Sequence, residues 1–299
     1  MKAVQFAEYG GPEVLRVVDV GEPHAGPGQV RIAVRAAGVN AYDWKVRAGF
    51  MRDLQPIPLP AGTGMDAAGV VDEIGDGVDG VAIGDEVFGQ GSATFAEYAV
   101  LSHWAVKPAG LSFAEAAGYP APVETAIRII NEVGVQPGQT LLVSGAAGGV
   151  GSAVVQIARQ RGISVIGTAS EANQDYLRSL GALATTYGDG LTDRVRAMAP
   201  EGVDAALDIA GAGVIGELIE LTGEPSKVLS IADFSAPQQG AKVSTGATNQ
   251  TAAFAEAARL FNAGQFHIPV KQFALADAAK AHAESQAGHV TGRLVITVP

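Results

Sequence analysis

The chain has 299 residues, 47% of them hydrophobic and 17% charged, with a net charge of −11 and a pI near 4.9. That is enough apolar material for two ordinary domains with a large core. The acidic balance argues against nucleic acid and anionic membranes as partners, and the absence of cysteine excludes disulfides, thiol nucleophiles and thiolate metal sites.

The opening MKAVQFAEYGG reads as a strand and turn, not as the apolar run of a leader, and no stretch approaches the roughly 20 apolar residues of a membrane span. A cytosolic protein is the expectation. Residues 1–118 are β-rich: short runs at 29–35, 70–74, 85–88 and 95–100 are separated by Gly26-Pro27-Gly28, Asp76-Gly77, Asp79-Gly80 and Gly84-Asp85. They predict a compact barrel-like domain. From Tyr119 the texture changes to alternating strands and helices. Strands are expected at 140–144, 163–168, 203–209 and 227–231, and helices at 171–180, ended by Gly181, and at 251–263, ended by Gly264. Such alternation implies a parallel, doubly wound sheet. The tail offers a strand at 270–273, a helix at 276–285 and a strand at 292–298 that returns to the first domain. The predicted division is therefore an α/β chain with one domain from 1–118 and 266–299 and a second from 119–265.

The most informative stretch is TLLVSGAAGGVGSAVVQIA, residues 140–158. An apolar strand runs into a glycine-rich turn, and Val150, Val154, Ile157 and Ala158 then recur at helical spacing. Missing β-carbons let the backbone approach a pyrophosphate, and a helix N-terminus supplies free N–H groups and partial positive charge. The pattern Ala146-x-Gly148-x-x-Gly151 is the Rossmann fingerprint with Ala for the first Gly, so Ala146, Ala147, Gly148, Gly149, Val150 and Gly151 are expected to cradle a dinucleotide. The alternative spacing, Gly145-x-x-x-Gly149-x-Gly151, is that of short-chain dehydrogenases. Their turn opens the chain and they need Tyr followed four places later by Lys, which none of the six tyrosines provides. The five histidines, His24, His103, His267, His282 and His289, show no metal-ligand spacing, so no metal site is expected. No Gly-x-Ser-x-Gly elbow supports hydrolase chemistry.

Taken in order, Ala36-Ala37-Gly38-Val39-Asn40, Gly64-Met65-Asp66-Ala67-Ala68-Gly69-Val70-Val71, Gly84-Asp85-Glu86-Val87-Phe88-Gly89, the glycine turn and Gly288-His289-Val290-Thr291-Gly292-Arg293-Leu294-Val295 cover nearly the whole chain. With these motifs it resembles the medium-chain dehydrogenase/reductase superfamily, and most of all the zinc-independent quinone oxidoreductases of the zeta-crystallin-like group. The resemblance implies a GroES-like, β-rich catalytic domain plus a Rossmann domain, an active site in the cleft between them, and a dimer formed through the edge of the nucleotide-binding sheet, here residues 242–245. It also implies a chain with loops trimmed near Gln90-Gly91-Ser92 and before Thr251.

A site for NADH usually places an acid about 20 residues past the turn, on the ribose. Here the second strand ends Gly167-Thr168-Ala169-Ser170, which is neutral, and Glu171 reads as a helix start. Two roles are open for Ser170, donor to a 2′-phosphate and helix N-cap. In the resemblance, NADPH members carry Lys where Asn173 stands and Tyr where Tyr187 stands; Arg178 is a substitute cation. NADPH is the expected cofactor, with Thr168, Ser170, Asn173 and Tyr187 near its ribose. Thr125 aligns with a Thr beside the carboxamide, a helix-start role being the competing account. Ala210, Ile231 and Ala232 follow strands and lie at the carboxyl edge, where ligands bind.

The resemblance places a loop, Asn40-Ala41-Tyr42-Asp43-Trp44-Lys45, against the nicotinamide. It makes Asn40 a hydrogen-bonding amide, the other reading being a turn residue with an unusual backbone angle. Lys45 stands where quinone-reducing members have Tyr and enone-reducing ones have Lys, so it is the expected donor to a developing enolate oxygen, or else a solvated surface lysine. Tyr42 and Trp44 either wall the cleft or pack in the barrel, with packing preferred, and Asp66 is expected to position loops. Without a metal Lewis acid, conjugated acceptors are easier to reduce than simple ketones, because charge spreads to a distant oxygen. The expected function is thus a zinc-independent, NADPH-dependent transfer of hydride to a quinone or α,β-unsaturated carbonyl; the alternative is a non-enzymatic NADPH-binding structural or regulatory protein on the same fold.

Overall fold

The computed structural model describes residues 1–299, in two compact units: Met1–Ala121 with Asn249–Pro299, and Pro122–Thr248.

In the first unit, strand Val30–Val39 organises the rest. Its inward residues Val30, Ile32 and Val34 are buried in alternation with half-buried ones, as a strand with one face on a core requires. It pairs antiparallel with Asp66–Ile74 on one side and Arg293–Thr297 on the other, within the order Val270–Ala274, Arg293–Thr297, Val30–Val39, Asp66–Ile74, Glu86–Ser92, Tyr98–Val106. It also pairs with Tyr98–Val106, with Val30 opposite Leu101, so four strands close on themselves around Ile32, Val34, Leu101 and Phe95. Register shifts between Arg31 and Ile32 and between Val34 and Ala36 supply the bend that closure needs. A small sheet, Arg16–Asp19, Lys2–Phe6 and Ala61–Gly62, flanks this barrel. The tail strand Arg293–Thr297 pairs in the first unit, as the alternation of 292–298 predicts.

In the second unit six strands are all parallel, in the order Leu183–Thr186, Ser164–Ala169, Thr140–Ser144, Ala205–Asp208, Val228–Ser230, Lys242–Val243. Numbered within the unit this is 3-2-1-4-5-6, the order of a dinucleotide-binding sheet. Its central strands, Thr140–Ser144, Ala205–Asp208 and Val228–Ser230, are buried almost throughout.

Three expectations are corrected. The segment expected as a loop after Val39 is a helix, Ala41–Arg47, because Asp43 Oδ2 accepts the Asn40 backbone N–H at 2.7 Å and closes its first turn. Gln90-Gly91-Ser92 is not a trimmed loop but the end of strand Glu86–Ser92. The alanine-rich helix, Gln250–Asn262, expected in the second unit, packs in the first, where Phe254 meets Phe88 with ring centroids 6.2 Å apart. Strand Leu183–Thr186 and helices Pro120–Val133, Leu191–Met198 and Ile215–Thr222 complete the alternation without having stood out in the sequence.

Candidate functional site

The glycine turn stands between strand Thr140–Ser144 and helix Gly149–Gln160. Gly145 has φ +84°, a conformation that side chains resist. A Cβ on Gly151 would lie 2.3 Å from Gly145 O and 2.5 Å from Ala146 Cα, so only glycine lets helix and strand approach this closely. Gly148 is the N-cap and offers no side chain to satisfy the first N–H groups of the helix, which leaves them for an anion. The turn is held from the second strand: Ala146 N donates to Thr168 O at 3.0 Å and Gly145 N to Thr168 Oγ1 at 3.4 Å.

The carboxyl ends of the neighbouring strands converge on it. The Cβ position of Gly145 falls 3.1 Å from Ala210 Cβ, and that of Gly211 2.9 Å from Ala232 Cβ. Asp208 Oδ1 accepts from Gly211 N at 2.9 Å and Asp208 Oδ2 from Ser230 Oγ at 2.8 Å, while Ser230 Oγ accepts from Ala232 N at 3.1 Å. Asp208 and Ser230 thus fix the loops carrying Ala210, Ile231 and Ala232; an acidic or hydroxylic residue ending a buried strand is the sequence signal that marks them. These residues, Ala146 to Gly151 and Thr168 lie near one another at the carboxyl ends of the first, second, fourth and fifth strands.

The ribose-side residues are less uniform. Ser170 makes no side-chain capping bond; instead its Oγ accepts from Asn173 Nδ2 at 3.3 Å. Helix 171–180 of the sequence reading is a 3-10 turn, Glu171–Asn173, followed by Gln174–Ser179, with Gln174 Nε2 bonded to the carbonyls of Ala169, Ser170 and Thr185. Arg178 pairs with Asp175 at 2.7 Å in a solvent-exposed ion pair one turn along the same helix. Tyr187 is half exposed just past strand Leu183–Thr186. Arg194, not singled out in the sequence, binds the carbonyls of Thr186, Gly188 and Asp189 and so shapes that same loop. Thr125 lies inside helix Pro120–Val133, not at its start.

In the first unit, buried Asp66 is the hub of a network. Asp66 Oδ2 accepts from Arg293 Nη2 at 3.0 Å, Asn40 Nδ2 at 3.1 Å and Ala121 N at 3.2 Å, and Asp66 Oδ1 from Gln90 Nε2 at 2.9 Å. Arg293 Nη2 also donates to Asn40 Oδ1 at 3.1 Å, and Arg293 Nη1 to Val39 O at 2.8 Å. Asn40 is therefore bound at both ends of its amide and is 7% exposed. Its φ of −107° is ordinary extended backbone, so neither an unusual backbone angle nor a free amide describes it. Burial lifts Asp43 to about 7, with Asp66 reinforcing and Arg293 opposing. Burial also raises Asp66 against the pull of Arg293. Gln90 Oε1 in turn accepts from Gln250 Nε2 at 2.8 Å, and a pocket of about 480 Å³ opens beside Gln90, Ser92, His103 and Gln250. Arg293, Gln90 and Gln250 have partners distant in the chain, which no local pattern signals, whereas Asp43 closes on Asn40 three residues before it, a capping pattern.

Tyr42 and Lys45 share the helix that Asn40 caps. Tyr42 is not packed in the barrel: it is 37% exposed and its hydroxyl donates to Gln55 Oε1. Trp44 meets Phe50 edge-on with ring centroids 6.1 Å apart, and the Lys45 ammonium stands 5.8 Å from the Trp44 ring without an acidic partner. No group of three or more His, Asp or Glu side chains is gathered in a way that could hold a metal ion. No helix is long and apolar enough to cross a membrane.

Comparison with known proteins agrees with this architecture. Residues 26–118 match the alcohol dehydrogenase GroES-like domain and residues 180–296 the family described as zinc-binding dehydrogenase. The quinone oxidoreductase of Coxiella burnetii is similar over 100% of this chain and 99% of its own, at 32% identity and a TM-score of 0.89. Pikromycin polyketide synthase component PikAII of Streptomyces venezuelae is 35% identical over 92% of this chain, which spans 8% of that protein. The chloroplastic NADPH-dependent alkenal/one oxidoreductase of Arabidopsis thaliana is 34% identical over 77% of this chain and 62% of its own. The chain belongs to the medium-chain dehydrogenase/reductase superfamily, in its zeta-crystallin-like quinone oxidoreductase group.

Proposed function

We propose that this chain is an NADPH-dependent oxidoreductase that reduces quinones or α,β-unsaturated carbonyls without zinc. The observation that carries the reading is the glycine turn of residues 145–151, with an uncapped helix N-terminus at the switch point of a 3-2-1-4-5-6 sheet. The turn fits a dinucleotide diphosphate, and the second strand ends on the neutral Thr168-Ala169-Ser170, with its first acid, Glu171, in the 3-10 turn that follows. The names of the similar proteins from Coxiella and Arabidopsis point to the same chemistry. When bound, the reduced nicotinamide supplies the hydride.

The protein's part is to bind, orient and stabilise charge. In the second unit Ala146, Ala147, Gly148, Gly149, Val150 and Gly151 would hold the diphosphate, with Ser170, Asn173 and Tyr187 at the ribose phosphate. In the first, Lys45 Nζ is the donor for an oxygen that gains charge, because the Asn40 amide is consumed by Asp66 and Arg293. Asn40 then acts as the rigid cap from which the helix bearing Lys45 and Tyr42 starts. Conjugated acceptors suit one such donor, since their charge is already delocalised.

The test is cofactor oxidation across a panel of quinones and enones, with NADPH and NADH side by side. Turnover with NADPH preferred supports the proposal. Tight binding without turnover on any acceptor would favour a non-enzymatic NADPH-binding role, and equal efficiency with NADH would reject the cofactor choice. We further place the protein in the cytosol as a homodimer through strand Lys242–Val243, an edge of the parallel sheet; light scattering that returns a monomer mass would reject the dimer.

A further inference from the structure

Arg47 ends the helix Ala41–Arg47 and is fully buried, yet it forms no ion pair. Of its guanidinium, Nη2 donates to Gln286 Oε1 at 2.7 Å, while Nε and Nη1 meet no acceptor. Glu13, the acid whose field acts on it, already accepts from Gly11 N at 3.1 Å. Three residues before Arg47, on the same helix face, the buried Trp44 Nε1 is likewise unpaired. Four residues before Gln286, on the helix Ala278–Ala287 that packs against it, buried His282 has both ring nitrogens unpaired. Phe95 presents its ring edge-on to His282, with centroids 5.7 Å apart. Buried polar groups are almost always paired, and a buried cation above all.

The chemistry of the cluster is one-sided. Nε and Nη1 of Arg47 and Nε1 of Trp44 are donors only, and a neutral imidazole adds one donor and one acceptor. Arg47 brings a full positive charge that no acid meets at ion-pair distance, Glu13 acting on it only through its field. We propose that Arg47, Trp44 and His282, between helices Ala41–Arg47 and Ala278–Ala287, form a buried receptor for one small inorganic anion of chloride size. A water molecule would accept from these groups but leave the guanidinium charge uncompensated and bring further donors into a donor-rich site. An anion satisfies both needs. Burial and the field of Arg47 hold His282 at about 3, so the imidazole stays neutral beside the cation and offers one N–H. The helix so anchored also carries Tyr42 and Lys45, but the inference does not depend on the proposed activity.

The test is thermal unfolding of the full chain with chloride or bromide replacing gluconate, too large for a buried site, at constant ionic strength. The expected result is a melting temperature about 3 °C higher in the small anion. Arg47→Met should abolish that response, and Trp44→Phe should shift its midpoint about tenfold upward, a lost charge-assisted hydrogen bond. Crystals of the unaltered protein grown in bromide should show an anomalous peak within hydrogen-bond reach of Arg47 Nη1, a readout that does not depend on any variant folding. Equal melting temperatures in gluconate and chloride, an unchanged response in Arg47→Met, or a water without bromide at that position would each overturn the proposal.

Discussion

Arg293 Nη2 stands 3.0 Å from Asp66 Oδ2, an ion pair with 8% and 0% side-chain exposure whose members are 227 positions apart in the chain. It ties the last strand of the first unit to strand Asp66–Ile74, and through a second bond of the same nitrogen it fixes Asn40. Removing one partner leaves the other buried and unpaired. Arg293→Met is expected to destabilise the protein by about 3–5 kcal/mol, and Asp66→Leu combined with Arg293→Met by less than the sum of the two single changes. Denaturant unfolding of the three variants measures this, and additive losses would show that the two residues act separately.

Two buried groups near the capped helix give stability opposite dependences on pH. Asp43 sits at about 7 when folded, above its ordinary value near 3.8, so its contribution is full below about 4 and is lost as pH rises through 7. His282 sits at about 3, below its ordinary 6.5, so its contribution is present above 6.5 and is lost as pH falls toward 3. Between pH 4 and 6.5 the slopes oppose each other. Asp43→Asn should make stability fall more steeply on acidification than in the unaltered chain, and His282→Leu should make it fall with rising pH, each by at most about 1.4 kcal/mol per pH unit. Unfolding midpoints across that range decide it.

The glycine turn separates binding from folding. Gly148 has φ −74°, which any residue adopts, so Gly148→Val is expected to leave the fold intact while weakening NADPH binding by at least about 100-fold, or about 2.7 kcal/mol. In Gly151→Ala the new carbon would meet Gly145 O at 2.3 Å, so this smaller change should cost the second unit about 1–3 kcal/mol of stability. Calorimetry for binding and thermal unfolding for stability read the two effects; unchanged affinity in Gly148→Val would mean that the diphosphate docks elsewhere.

In the proposed NADPH site Asn173 stands beside the 2′-phosphate, and its amide bonds Ser170 Oγ. Asn173→Lys should raise the preference for NADPH over NADH by about tenfold, about 1.4 kcal/mol, seen in kcat/KM for the two cofactors. A change in NADH efficiency alone would place the ribose away from this turn.

The Lys45 ammonium, unlike the buried unpaired donors of Trp44 and Arg47 on the same helix, is partly exposed and has no acidic partner. Lys45→Met should lower kcat by about 10²–10³ while leaving NADPH affinity within about twofold. A loss confined to KM would assign it to uniform substrate binding.

Position along the chain, and not composition alone, made much of this legible. Strand 140–144, its turn and the following helix were readable because glycine spacing and helical periodicity are local properties, and strand Thr140–Ser144 matches residue for residue. The helix Ala41–Arg47 was missed, although Asn40 followed three residues later by Asp43 is a capping pattern; the residues after it are too few to show a period. Helix Gln250–Asn262 was found but given to the wrong unit, because an alanine-rich face does not say which core it covers.

What the sequence determined by itself is the order of most elements, the location of the glycine turn and the family, all of which rest on neighbours in the chain. What only the tertiary structure decided is the network around Asp66. It showed that Asn40 is consumed, that Lys45 is left free, and that two guanidinium nitrogens of Arg47 and both ring nitrogens of His282 are buried without partners. Those facts depend on pairings between residues as far apart as 40 and 293, and a hydrogen bond is a property of distance and angle that no spacing in the sequence encodes.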